Sequence, residues 1–128
     1  MVELNSKKLL VVDDSLIARM AITKMLSGKV ASITEATNGS HAIEILRKES
    51  FDCILIDYLM PGIDGLTTVK IIRGMEVTTP IIVISANQQE AVMSKFDELD
   101  VAAILRKHVN PDDLLAALNK ALDKVEGS

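Results

Sequence analysis

The sequence predicts an α/β fold in which five strands alternate with five helices and build a parallel sheet with helices on both faces. Two observations carry that expectation. Short unbroken apolar runs recur along the chain, and segments with helical apolar spacing lie between them.

The runs are Leu9-Leu10-Val11-Val12, Cys53-Ile54-Leu55-Ile56, Ile81-Ile82-Val83-Ile84 and Ala102-Ala103-Ile104-Leu105. A strand with one wet face alternates apolar and polar residues, whereas an unbroken run is covered on both sides, as in a parallel sheet. A weaker run, Ala31 to Ala36, supplies the second strand in chain order. Between the runs, Ile17, Met20, Ala21 and Met25 fall at offsets 0, 3, 4 and 8, and Leu114, Leu118, Ala121, Leu122 and Val125 at 0, 4, 7, 8 and 11. Val92, Phe96 and Leu99 repeat the pattern, and Ala42, Ile45 and Leu46 give a shorter version. Each set predicts one core-facing helical stripe, with the methionines as filler. Gly28 and Gly74 read as helix stops, Asn38-Gly39 as a turn, and Asn110-Pro111 as an N-cap with proline at the first helical position.

A chain of 128 residues is enough for one domain, taken as residues 1–128 with a core from about 7 to 125, and such a domain buries roughly two-thirds of its unfolded surface. No Trp, one Tyr and two Phe make the core aliphatic. A net charge of −4, with both signs interleaved, argues against the clustered basic face that nucleic acid requires. The single cysteine, Cys53, has no internal disulfide partner and reads as a small buried hydrophobe. No apolar stretch reaches the roughly 18 to 20 residues of a membrane helix, and the N-terminus lacks the apolar core of a secretory signal, so the cytosol is the expected compartment.

Ligands of open α/β sheets bind beyond the carboxyl ends of the strands. Asp13 and Asp14 follow the first run, Asp57 the third, and Ser85 and Lys107 close the fourth and fifth. Three carboxylates at one sheet edge repel each other and call for a cation. An all-oxygen set with room for water suits Mg²⁺, while neither His41 nor His108 sits in a zinc-spaced cluster. Blander roles exist: Asp14 or Ser15 can cap the first helix, Asp64 caps a helix beginning near Gly65, and Ser85 and Lys107 taken singly can be solvated strand ends. Capping does not account for Asp57, because Pro61-Gly62 and other loop residues separate it from the next helix. A nucleophilic carboxylate beside Mg²⁺ and an ammonium suits phosphoryl transfer, with Asp57 as acceptor, Lys107 neutralising an oxygen and Ser85 donating a hydrogen bond.

Four segments, Leu10-Val11-Val12-Asp13-Asp14-Ser15, Asp57-Tyr58-Leu59-Met60-Pro61-Gly62-Ile63-Asp64-Gly65, Ile84-Ser85-Ala86 and Leu105-Arg106-Lys107, closely resemble in order the receiver domains of two-component response regulators, especially stand-alone ones. The resemblance implies a flavodoxin-like three-layer sandwich of strand order 2-1-3-4-5. It implies Asp57 as phosphoacceptor, Asp14, Asp57 and the Leu59 backbone carbonyl as Mg²⁺ ligands, and Asp13 as a ligand through water. Ser85 and Lys107 take the switch roles. Further implied are a sensor histidine kinase or histidine phosphotransfer protein as donor, an output protein that no motif names, a monomer or weak dimer, and no turnover of a separate substrate.

Two positions depart from that pattern. Ile104 stands where the family has an aromatic switch residue, and His108 where it has a proline preceded by a cis bond. A cis bond before a non-proline residue costs about 2.5–4 kcal/mol, so the expectation is either a strained loop or a trans bond with Lys107 displaced. His108 as a phosphotransfer histidine would need a four-helix bundle, which this pattern does not make. His41 reads as a solvated helix residue. By the same resemblance, Leu59 and Asn87 occupy the two positions that flank the route of the hydrolytic water, which an apolar Leu59 cannot orient. Two rival functions are a receiver-like module that acts by contact alone and a phosphatase of the haloacid dehalogenase type. The second would need an Asp two residues after Asp57, where Leu59 stands, and a cap domain.

Overall fold

The computed structural model describes residues 3–86 and 89–126. After a 3-10 turn at Leu4–Ser6, the order is β1 Lys8–Val12, α1 Leu16–Leu26, β2 Ser32–Ala36, α2 Gly39–Leu46, β3 Cys53–Asp57, α3 Gly65–Gly74, β4 Ile81–Ser85, α4 Glu90–Met93, β5 Ala103–Arg106 and α5 Pro111–Glu126. All neighbouring strands pair in parallel, in the order β2-β1-β3-β4-β5. This is the flavodoxin-like arrangement expected.

The unbroken runs of β1, β3 and β4 are buried on both sides because alternate residues feed two cores, whereas that of β5 is half-buried. Leu10, Val12, Ile54, Ile56, Ile81 and Val83 pack with Ala42, Ile43 and Leu46 of α2, Val69 and Ile72 of α3, and Phe96. Leu9, Val11, Cys53, Leu55, Ile82 and Ile84 pack with Ile22 and Leu26 of α1 and with Leu114, Leu118, Ala121 and Leu122 of α5. Burying one such side chain fully is worth about 1.5–3 kcal/mol, so the central strands carry much of the apolar stabilisation. Burial also pushes the Cys53 thiol up to about 12, which keeps it protonated and inert.

Helix starts follow the sequence closely. Ser15 rather than Asp14 caps α1, its Oγ accepting from the Ala18 N–H at 3.2 Å. Asp64 caps α3 through the Thr67 N–H at 2.8 Å, and Asn110 caps α5 through the Asp113 N–H at 2.8 Å.

Several expectations need correction. The Asn38-Gly39 pair is not a free turn: Asn38 caps α2 by accepting from the His41 N–H at 2.8 Å, and Gly39 is its first residue. Gly74 does not stop α3 but lies within it, and the left-handed residue after the helix is Glu76, at φ 65°. The α1 stripe is also not the core face. Ile17 is 80% exposed and Met20 59%, while Arg19, Ile22 and Leu26 turn inward. Those three stand at helical spacing too, and the covering sheet decides between the faces. The stripe of Val92, Phe96 and Leu99 spans two conformations, since α4 tightens after one turn into a 3-10 segment at Ser94–Leu99. The side chain of Val125 lies outside the described residues.

Candidate functional site

Strand order brings the chemistry together. β1 and β3 are adjacent at the centre, with Leu9 paired to Cys53 and Val12 to Ile56, so Asp13 and Asp14 leave the sheet beside Asp57, the last residue of β3. On the other side of β3, Asp57 pairs with Ile84, and Ser85 with Arg106, which precedes Lys107. The site lies where the chain goes one way from β1 and the other way from β3, the switch point at which such sheets bind ligands.

Asp13, Asp57 and Ser85 are 3%, 4% and 1% exposed, whereas Asp14 is open to solvent. Carboxylate oxygens of Asp13, Asp14 and Asp57 all lie within 4.8 Å of one another. Lys107 reaches in from the loop after β5, and its Nζ donates to Asp13 Oδ2 and to Asp57 Oδ2, each at 3.2 Å. Asp13 Oδ1 accepts from the Ser15 N–H at 2.9 Å.

The electrostatics show a shortage of positive charge. Burial first, and the Asp13 charge second, push the Asp57 carboxyl above the usual carboxylate range; Lys107 offsets only part of this. Burial alone would lower the Lys107 ammonium, but Asp57 and then Asp13 raise it, so it stays charged. Three carboxylates against one ammonium leave two negative charges in excess. The donor set fits a hard divalent cation: it offers oxygen only, it is partly buried, and the exposure of Asp14 leaves a side for water. Asp14 and Asp57 would hold the ion. Leu59 lies two residues beyond Asp57 and is 66% exposed.

Lys107 occupies the site although His108 follows it, and the peptide between them is cis. The alternative of a trans bond with Lys107 displaced is not what the structure contains. His108 is exposed, and Ile104 is half-buried against the core that holds Phe96 and Tyr58. His41 is half-buried rather than freely solvated, its Nδ1 accepting from the Thr37 N–H at 3.1 Å. Asn87 lies outside the described residues.

Two residues that sequence reasoning passed over shape the site. Gly65, read only as a helix start, packs so tightly that an added Cβ would meet the Asp57 carbonyl oxygen at 2.5 Å and Tyr58 Cα at 2.8 Å. Arg19 is buried, and its Nη1 donates to the Asp13 carbonyl at 2.6 Å. The spacing of Arg19, Ile22 and Leu26 signalled an inward face, but a charged residue is not counted in an apolar stripe.

Fold and site together define a single class, an α/β sheet with a lysine-bridged acidic pocket at its switch point. The family model of the response regulator receiver domain matches residues 9–119. The chain is 31% identical over 117 residues to the chemotaxis protein CheY of Bacillus subtilis, a match covering 91% of this chain and 98% of that protein. It is 33% identical over 114 residues to the transcription factor SKN7 of Candida albicans, covering 89% of this chain but 20% of that protein. Among solved structures, a CheY-like receiver domain protein from Methanospirillum hungatei superposes with a TM-score of 0.89 at 20% identity, covering 95% of this chain and 98% of that one. The chain belongs to the response regulator receiver family.

Proposed function

We propose that the chain accepts a phosphoryl group on Asp57 from the phosphohistidine of a sensor kinase or phosphotransfer protein, and so switches its contacts with an output protein in the cytoplasm. The observation that carries the reading is the Lys107 ammonium bridging Asp13 and Asp57, at 3.2 Å from each, beside the third carboxylate. In the transfer a carboxylate oxygen of Asp57 bonds to phosphorus as the bond to the donor imidazole nitrogen breaks, leaving an acyl phosphate. Mg²⁺, when bound, supplies charge neutralisation for the phosphoryl oxygens. Asp14, Asp57 and the Leu59 carbonyl would hold it directly and Asp13 through water. Lys107 pairs with a phosphoryl oxygen after releasing its bond to Asp57, and the Ser85 hydroxyl donates to another.

Supporting a protein partner, Leu16, Ile17 and Met20 of α1 are each at least 59% exposed on the helix that Ser15 starts beside the pocket. The domain turns over no separate substrate in this reading. The side chain of Leu59, exposed and two residues beyond Asp57, offers no hydrogen bond to an attacking water. Leu59→Asn supplies a donor and an acceptor there and should therefore shorten the phosphoryl lifetime. An unchanged lifetime in that variant removes the role assigned to Leu59.

Calorimetric titration of Mg²⁺ into the parent and into Asp14→Ala tests the site itself. Saturable binding by the parent, weakened in the variant, is the expected result. A parent that binds no Mg²⁺ would make a contact module, never phosphorylated, the better reading.

A further inference from the structure

Arg19 is 8% exposed yet carries a full charge. Burying a guanidinium is costly unless it is paired and hydrogen-bonded, and an apolar residue of similar volume usually serves stability as well or better. Its Nε donates to Glu35 Oε1 on β2 at 2.9 Å, but the Glu35 side chain is itself 42% exposed, so that pair is partly screened by water. The remaining partner is the Asp13 backbone carbonyl, bonded to Nη1 at 2.6 Å.

That bond has a specific geometric effect. Asp13 is held at four points: its N–H donates to the Ala36 carbonyl at 3.1 Å, Oδ1 accepts from Ser15, Oδ2 accepts from Lys107, and its carbonyl accepts from Arg19. Only the last fixes the peptide plane that joins Asp13 to Asp14. Asp14 is exposed and lies in the loop between β1 and α1, so the orientation of its carboxylate depends on that plane. We infer that Arg19 is a positioning residue for the metal site: anchored by Glu35, it locks the Asp13–Asp14 peptide and so holds Asp14 within reach of Asp57. The inference rests on reading the acidic cluster as a Mg²⁺ site.

The test is the Mg²⁺ dissociation constant of the full chain, measured by calorimetry for the parent, Arg19→Met and Arg19→Lys, with circular dichroism to establish folding. Lysine keeps the charge but cannot span both partners. Arg19→Met should weaken Mg²⁺ on the order of tenfold and Arg19→Lys by less, as is usual when a group that orients a metal ligand is removed. The rate of phosphorylation by acetyl phosphate should return towards the parent's at saturating Mg²⁺. A purely structural Arg19 would lower the melting temperature and leave the affinity alone. An affinity within about twofold of the parent's in a folded variant overturns the inference, and Arg19→Lys decides the matter if Arg19→Met does not fold. A parent that binds no Mg²⁺ overturns the reading of the site and the inference with it, whereas unchanged affinity in folded variants overturns the inference alone.

Discussion

Asp57 carries a charge that its surroundings oppose. Its carboxyl is raised by burial and by Asp13, against the pull of Lys107. A carboxyl raised by folding holds its proton more tightly in the native state than in the unfolded chain. Its contribution to stability is therefore fully present below the unfolded value, about 3.9, and is lost as pH rises through the folded one. At neutral pH, without metal, the ionised group is a cost. Asp57→Asn keeps the shape and removes the charge, while Lys107 keeps Asp13 as partner. The variant should melt at a higher temperature than the parent at pH 7 in chelator, and the gap should shrink as pH falls into the acid range. A lower melting temperature at pH 7 would mean that the Lys107 pair outweighs burial. Gly65 makes a second test at this scale. Its missing Cβ lets the start of α3 touch the Asp57–Tyr58 backbone. Gly65→Ala should cost about 1–3 kcal/mol in denaturant unfolding and slow phosphorylation by shifting the acceptor. That Asp13, Asp14, Asp57, Ser85 and Lys107 gather at one edge of the sheet was legible because each lies within two residues of the end of an apolar run. Gly65 and Arg19 were not, because a close approach and an inward charge depend on what lies across the gap.

At the scale of elements, the region from β4 to β5 is where spacing predicted least. Val92, Phe96 and Leu99 fit one helix, yet the backbone tightens into a 3-10 turn after Met93 and ends at Asp100 in the left-handed region. Two contacts anchor the segment. Phe96 is fully buried and meets Tyr58, the residue after Asp57, edge to face with ring centroids 5.9 Å apart. Arg73 of α3 donates to the carbonyls of Leu99, Asp100, Val77 and Thr79, all between 2.8 and 2.9 Å. Neither is visible in a local pattern, since Arg73 and Leu99 are 26 residues apart. Phe96→Ala removes the largest fully buried side chain and should destabilise the protein by about 3–5 kcal/mol, read from denaturant unfolding. A loss under about 1 kcal/mol would show that the segment collapses onto the gap rather than being held by the ring. The helix caps, by contrast, were readable, because Asp64 and Asn110 bond to N–H groups only three residues on.

For the whole molecule, the order β2-β1-β3-β4-β5 converts five scattered polar positions into one pocket. The three central strands were legible in the sequence because burial on both faces leaves near-continuous apolar runs, whereas the edge strand β2 keeps Ser32, Thr34 and Glu35 and signals itself only weakly. Residue patterns alone did not fix the strand order, which came from resemblance. No helix among the described residues is long and apolar enough to cross a membrane. The central claim, that this pocket makes Asp57 a phosphoryl acceptor, is tested most directly by the intact mass of the protein after incubation with Mg²⁺ and acetyl phosphate, beside Asp57→Asn. The parent alone should gain one phosphoryl group and lose it to hydroxylamine. A parent that gains no mass while binding Mg²⁺, or an Asp57→Asn variant that gains the same mass, would contradict it.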